Sequence, residues 1–305
     1  MSPPNFFELK HIMLRHIFSV LALAALSACS ATAAQEAPLR LGIAPFNSPA
    51  DLFRAHRPLA QHLERSLNRP VKILSSKDHA AFLRDSLRKR FDILITPPHF
   101  GALCLQYGFV PLARYKAPFK FIFVVRADSA FKHHRDLRGK RIAFPDYASF
   151  FAQAGIKNLA ENGMKADTDY QMLDRPSHAA AMAAVVAGNA EAAVTTFAPL
   201  NLAHHEIRSK LRIINLNDLN MDDHTLPHLM TLADNHLDAA LIERIRKALQ
   251  RFPATGEGKA FFAASGYEGY VPISPQDIKS MQPYVEMIRQ QPFFKPPVLP
   301  DQERP

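Results

Sequence analysis

The stretch Asp136-Leu137-Arg138-Gly139-Lys140-Arg141-Ile142-Ala143-Phe144 is where the chain begins a second round of strand–helix alternation. It closes a polar, basic segment, residues 126–140, and passes straight into a short apolar strand, residues 141–144. Toward the C-terminus, residues 148–162 read as a helix stopped by Gly163 and residues 170–173 as a strand. Ser177 caps an Ala-rich helix that runs to Ala187, with Gly188 just past its end, and residues 191–195 and 211–215 are further strands. Toward the N-terminus the same rhythm precedes it. Residues 39–44 (Leu-Arg-Leu-Gly-Ile-Ala) alternate as a strand, and Asp51 caps a helix with Leu52, Phe53, His56, Leu59, Leu63 and Leu67 on one face. Residues 71–74 are a strand, Asp78 caps a helix with Phe82, Leu83 and Leu87 inward, and residues 91–95 (Phe-Asp-Ile-Leu-Ile) are a strand before Thr96-Pro97-Pro98. Pro in the first turn of a helix is well placed, because its missing N–H has no partner there anyway. Residues 110–114 and 119–125 are strands, the second strongly so.

The pattern returns to a strand near residues 226–232, and after it come helices only. Residues 238–249 carry Leu241, Ile242, Ile245 and Leu249 on one face, residues 255–264 form another helix, and Ser274-Pro275-Gln276-Asp277 is a capping box opening a last helix to Gln290. Residues 291–305 hold five prolines and read as an extended or disordered tail. The expected class is α/β, with two mostly parallel sheets and right-handed crossovers. Of 305 residues, 48% are apolar and 21% charged, which excludes a disordered chain. Two cysteines exclude a disulfide scaffold or a multi-cysteine metal centre. The net charge of +9 comes from scattered side chains, which argues for solubility, anionic ligands or a membrane surface over nucleic acid.

Residues 17–26 form an apolar run too short to span a bilayer, which needs about 20 residues. Lys10 and Arg15 precede it and small residues follow, the layout of a secretory signal; Met13 is an alternative start. The run ends Leu26-Ser27-Ala28-Cys29, which resembles a bacterial lipoprotein box. Residues 1–28 are then a signal peptide, Cys29 carries lipid, residues 29–38 are a tether, and the mature chain sits in the periplasm on a membrane anchor. Cys104, in Ala102-Leu103-Cys104-Leu105, reads as a buried structural thiol.

Several segments together resemble the phosphate/phosphite/phosphonate-type substrate-binding proteins of ABC transporters, which have the two-lobed, type II periplasmic binding fold. They are Leu39-Arg40-Leu41-Gly42-Ile43-Ala44-Pro45, Phe91-Asp92-Ile93-Leu94 before Pro97-Pro98, and Val110-Pro111-Leu112-Ala113-Arg114-Tyr115. Phe123-Val124-Val125-Arg126-Ala127-Asp128-Ser129, the opening stretch from Asp136 to Phe144, and residues 266–272 complete the set. The resemblance implies lobe 1 from residues 39–125 plus 226–290, lobe 2 from residues 126–225, and a hinge of two chain crossings near Val125 and Leu226. It also implies a small-molecule ligand bound between the lobes, an ABC permease as partner, no cofactor and no catalysis.

In such a fold the loops after the strands face the cleft. The residues offered there are Phe46, Asn47, Ser76, Thr96, His99, Tyr147, Ser149, Arg175, Ser177, His178, Thr195 and Thr196. Phosphonate-binding members carry a run of Ser and Thr at the start of the first lobe-2 helix. Here that place reads Asp146-Tyr147-Ala148-Ser149-Phe150-Phe151, with one hydroxyl of that kind and rings beside it. Neutral short donors suit a tetrahedral oxyanion, whereas rings suit a larger, flatter or more apolar ligand. Thr195-Thr196-Phe197 stands where amine-binding members carry acids.

Two other readings stand beside transport. The altered lobe-2 helix start and the count of 14 His motivate a sensor or redox-associated accessory protein of the same fold, or a metal- or haem-binding periplasmic protein. The His pairs 133–134 and 204–205 splay apart, and Pro227 interrupts the spacing of His224 and His228, so no metal ligands are assigned. The chain shows no Gly-x-Ser-x-Gly elbow, Gly-rich phosphate loop or His-Glu-x-x-His.

Overall fold

The computed structural model describes residues 36–46, 48–117, 120–214 and 226–296. The signal segment, Cys29, Asn47, His224 and the tail from residue 297 lie outside the described residues.

The first elements are β1 (Leu39–Ile43), α1 (Pro49–Leu67), β2 (Val71–Leu74), α2 (His79–Leu87), β3 (Ile93–Thr96), α3 (Pro98–Leu105) and β4 (Phe109–Tyr115). Next come β5 (Phe121–Arg126), a 3₁₀ turn (His134–Leu137), β6 (Arg141–Pro145), α4 (Phe150–Glu161), β7 (Gln171–Arg175), α5 (His178–Val186), β8 (Ala192–Thr196), α6 (Phe197–Leu202), α7 (His205–Arg208) and β9 (Leu211–Ile213). The chain returns through β10 (Met230–Asp234), α8 (Ala239–Arg251), a 3₁₀ turn (Phe252–Ala254), α9 (Gly256–Ser265), β11 (Tyr270–Val271), α10 (Pro275–Ser280) and α11 (Gln282–Arg289).

They build a six-stranded sheet, β11-β4-β10-β3-β1-β2, and a five-stranded sheet, β7-β6-β8-β5-β9. Each has the parallel core that the alternation implies: β1 pairs parallel with β2 and β3, and β6 with β7 and β8. Both sheets are nevertheless mixed, not mostly parallel. β10 comes back antiparallel between β3 and β4, and β5 enters antiparallel between β8 and β9. Each of these strands follows a strand of the other sheet in the chain, so no parallel βαβ unit fixes its direction and it is free to run antiparallel.

The boundary at Val125 shifts for the same reason. Residues 121–125 of β5 pair with Ala192–Thr196 of β8, so the chain has changed sheets before Phe121. The last helix also differs from its expected single span. Ser274 and Asp277 form the capping box, but α10 ends at Ser280 and a new helix starts at Gln282. Pro283 in its first turn has no N–H to continue the ladder.

The six-stranded sheet is apolar on both faces, as a central parallel core requires. Ile93 and Ile95 of β3 pack with Leu59 and Leu63 of α1 and Ile245 of α8, while Leu94 packs on the opposite side with Phe82, Phe100 and Met230. Cys104 lies in that second cluster, fully buried, and burial pushes its thiol up to about 12. The same cluster continues into the other lobe through Phe144, Phe150 and Ala152. There Gly155 lets α4 lie close on β8, since a Cβ at that position would stand 2.9 Å from Val194. α11 spans the junction, and its Tyr284 ring meets Phe150 edge-on at 4.9 Å.

Candidate functional site

A cleft partly open to solvent lies where the strand ends of both sheets meet. From the six-stranded side it is lined by Pro45 and Phe46 after β1, His79 at the start of α2, Pro97 after β3, and Leu229 just before β10. From the five-stranded side come Pro145, Asp146, Ser149, Phe150 and Phe151 at the β6–α4 turn, and Pro176, Ser177 and His178 at the β7–α5 turn. The wall is mostly proline and ring, and no Lys or Arg lines it among the described residues.

The helix starts are held by their own hydroxyls. Ser149 caps α4, accepting from the Ala152 N–H at 3.2 Å, and its hydroxyl donates to the Pro145 carbonyl at 2.5 Å. Ser177 caps α5, accepting from the Ala180 N–H at 3.2 Å. The Ser149 proton is therefore spent inside the turn, which leaves its oxygen little to give a ligand.

Of the residues expected at the cleft, Phe46, Ser149, Ser177 and His178 line it. His178 Nδ1 sits 3.1 Å from the Thr195 hydroxyl, and its ring meets Phe151 edge-on at 5.1 Å. Burial, helped by the nearby His79, lowers His178 to about 4, so it is neutral near pH 7. Thr195 and Thr96 are fully buried behind the wall, and Thr196 is half-buried at the start of α6. His99 is also fully buried: its Nε2 lies 3.2 Å from the Ala148 carbonyl, and its ring stacks on Phe100 at 4.2 Å. Burial takes it down to about 3. The Ser76 hydroxyl donates to Asp85 at 2.8 Å, and the Arg175 guanidinium donates to the Asp174 carbonyl at 2.8 Å. Tyr147 is half-buried; its N–H donates to Asp174 and its carbonyl accepts from Gln153.

The reading from sequence missed the two groups that meet inside the cleft. His79 Nδ1 is 2.6 Å from Asp146 Oδ2, and the His79 backbone N–H donates to the same oxygen at 3.2 Å. Because a carboxylate only accepts, Nδ1 carries the proton. Asp146 Oδ1 accepts from the Ala148 N–H at 3.1 Å. Burial alone would raise the Asp146 carboxyl, but the His79 ring and backbone and the Ala148 N–H outweigh it and hold it below the usual carboxylate range. Asp146 sits at φ 41°, in the left-handed region that Asp tolerates better than most side chains, at the turn between β6 and α4. A signal existed: His79 directly follows the cap Asp78, and Asp146 directly follows Pro145 at a strand end. Their pairing across the cleft is not local in sequence.

Among the described residues, no group of three or more His, Cys, Asp or Glu side chains is placed to hold a metal ion. No described helix is long and apolar enough to cross a membrane.

Two α/β lobes on mixed sheets, joined by two crossings and enclosing a cleft at converging helix starts, make this a type II periplasmic binding protein. Residues 41–278 match the family described as ABC transporter, phosphonate, periplasmic substrate-binding protein, and the chain belongs to that family. The family is one of periplasmic transport binding proteins, not enzymes. Solved structures show the same fold. PhnD1 from Prochlorococcus marinus (MIT 9301), in complex with methylphosphonate, superposes with a TM-score of 0.72 at 13% identity, over 83% of this chain and 98% of that one. XAC2383 from Xanthomonas citri, bound to chloride ion, gives 0.69 at 18% identity, over 82% and 98%. The alkanesulfonate-binding protein SsuA from Xanthomonas axonopodis pv. citri, bound to MOPS, gives 0.58 at 20% identity, over 87% and 96%.

Proposed function

We propose that this chain is a lipid-anchored periplasmic protein that captures a small organic ligand between its lobes and hands it to an ABC permease. The observation that carries the reading is the cleft itself: helix starts from both lobes converge on a ring- and proline-lined space with a few placed polar groups. Its contacts come from both lobes, so a ligand there favours the closed state. Neighbours of this fold hold methylphosphonate and MOPS, which supports a ligand of that size class. The rings Phe46, Phe150 and Phe151 support a flatter or more apolar molecule than phosphate. Anchoring rests on Cys29.

Native mass spectrometry of the protein as purified, compared with its denatured mass, tests capture. A bound small organic mass is expected. Phe46→Ala with Ser177→Ala is expected to weaken binding of that molecule at least about tenfold without unfolding the protein. Unchanged affinity would overturn the cleft assignment. Cys29→Ala is expected to release the chain from the membrane fraction; continued membrane attachment would overturn the anchor.

A further inference from the structure

The polar centre of the cleft is a carboxylate, which is the wrong charge for the ligands that the family's description implies. Around the cavity the frame favours anions: α2, α4 and α5 all begin there, with His79, Ser149 and Ser177 at their starts. Onto that frame Asp146 places a full negative charge in a space that no described Lys or Arg lines. Its ionised form is held in place by the His79 ring, the His79 N–H and the Ala148 N–H. His79 is thereby committed to Asp146, and the pair together brings no net positive charge to a ligand. The remaining imidazole of the wall, His178, is neutral, and the Ser149 hydroxyl is used within its own turn. Asp174, exposed at the end of β7 and accepting from the Tyr147 N–H, carries the same sign; partial desolvation raises its carboxyl, and the nearby Asp146 raises it further.

We infer that Asp146, held across the cleft by His79, sets the charge of the ligand: the site excludes phosphate and phosphonate anions and takes a small molecule without net negative charge, its apolar body against Phe46, Phe150 and Phe151. This rests on the reading of the cleft as the capture site. The physical ground is Coulombic. An oxyanion a few ångströms from Asp146 in a partly desolvated space meets repulsion of several times the thermal energy, and no Lys or Arg among the described lining residues offsets it. Replacing the carboxylate by its neutral isostere restores the anion-favouring frame.

The test uses two probes of nearly the same shape and opposite character, methylphosphonate and its uncharged dimethyl ester. Both are titrated by calorimetry at pH 7.5 into the full mature protein, the Asp146→Asn variant and the Asp146→Ser variant. Thermal unfolding of each variant checks that it is folded. The expected result is that either substitution raises affinity for methylphosphonate relative to the ester by at least about tenfold. No gain in either folded variant, including failure of both to bind methylphosphonate, overturns the inference. So does micromolar binding of methylphosphonate by the unmodified protein. A phosphorylated or phosphonate ligand recovered from the native protein overturns the charge assignment while leaving capture between the lobes intact. Absence of any cleft ligand counts instead against the capture reading.

Discussion

Two imidazoles of the first lobe reach across to the second, and they do opposite things. His79 at the start of α2 meets a carboxylate inside the cleft; His99 at the start of α3 meets a backbone carbonyl in a closed aromatic layer. His79 has Phe46 at 6.4 Å and lines the open space, whereas His99 is fully buried with Phe100 at 4.2 Å and Phe150 at 5.1 Å. The topological position is nearly the same, a helix start after a parallel strand. What differs is the residue opposite. A carbonyl and rings make an apolar joint that carries packing; an aspartate makes a polar pair on the open wall of the cleft. In this fold, position at a strand end brings a side chain to the cleft, and the facing lobe decides what it does there.

The comparison breaks most visibly at Phe150. Its ring is buried against His99 and meets Tyr284 of α11, so it ties α3, α4 and α11 together. Phe150→Ala leaves a cavity at that joint and is expected to cost about 3–5 kcal/mol, lowering the melting temperature by roughly 10 °C. A shift of only a degree or two would mean that the aromatic joint carries little of the stability.

Much of the architecture was legible because it is local. The caps at Asp78, Ser177 and Ser274, the proline start of α3 and the two rounds of alternation all depend on residues within a few positions of each other. The antiparallel entry of β5 and β10 was not legible, because a strand's composition says nothing of its neighbour. The site divides along the same line. The loops after the strands were the right places, and Phe46, Ser149, Ser177 and His178 came from them. His79 and Asp146 escaped because their roles exist only as a contact between residues 67 positions apart. His99 was named as a cleft residue on its helix start, and its burial depends on Phe150 and Ala148, which no local pattern links to it.

Acid sharpens the contrast. His99 is lowered to about 3 by burial, although its bond to the Ala148 carbonyl pulls the other way. In the unfolded chain it takes a proton near its ordinary value of about 6.5. Between those two values the unfolded state binds more protons, so stability rises with pH and is lost as pH falls through this range. At pH 5 His99 alone is expected to cost roughly 2 kcal/mol relative to neutral pH. His228, also lowered to about 3, acts with the same sign. Asp146 acts lower: its depressed carboxyl contributes stability that is present above its unfolded value of about 3.9 and lost only as pH falls through the folded one. Urea midpoints at pH 7.5 and 5.0 should therefore converge in His99→Gln by about the same amount. An undiminished gap would show that other groups dominate the acid loss.

The smallest effect on stability, and the most telling for function, belongs to His79. Removing its ring leaves the Asp146 carboxylate with the His79 and Ala148 backbone N–H groups, so the acid is not stranded. His79→Ala is accordingly expected to cost only about 1 kcal/mol. Its consequence lies in the balance between open and closed forms. The side-chain bond to Asp146 joins the lobes, while the neighbouring joint at His99 remains. Without the ring, the ligand-free protein should spend more time open, read as a larger radius of gyration in solution scattering at nearly unchanged melting temperature. Phe150→Ala should do the reverse, lowering stability far more than it changes the radius at low temperature. Equal effects of the two substitutions on both readouts would dissolve the distinction, making the His79–Asp146 pair one more packing contact rather than the polar closure of the cleft.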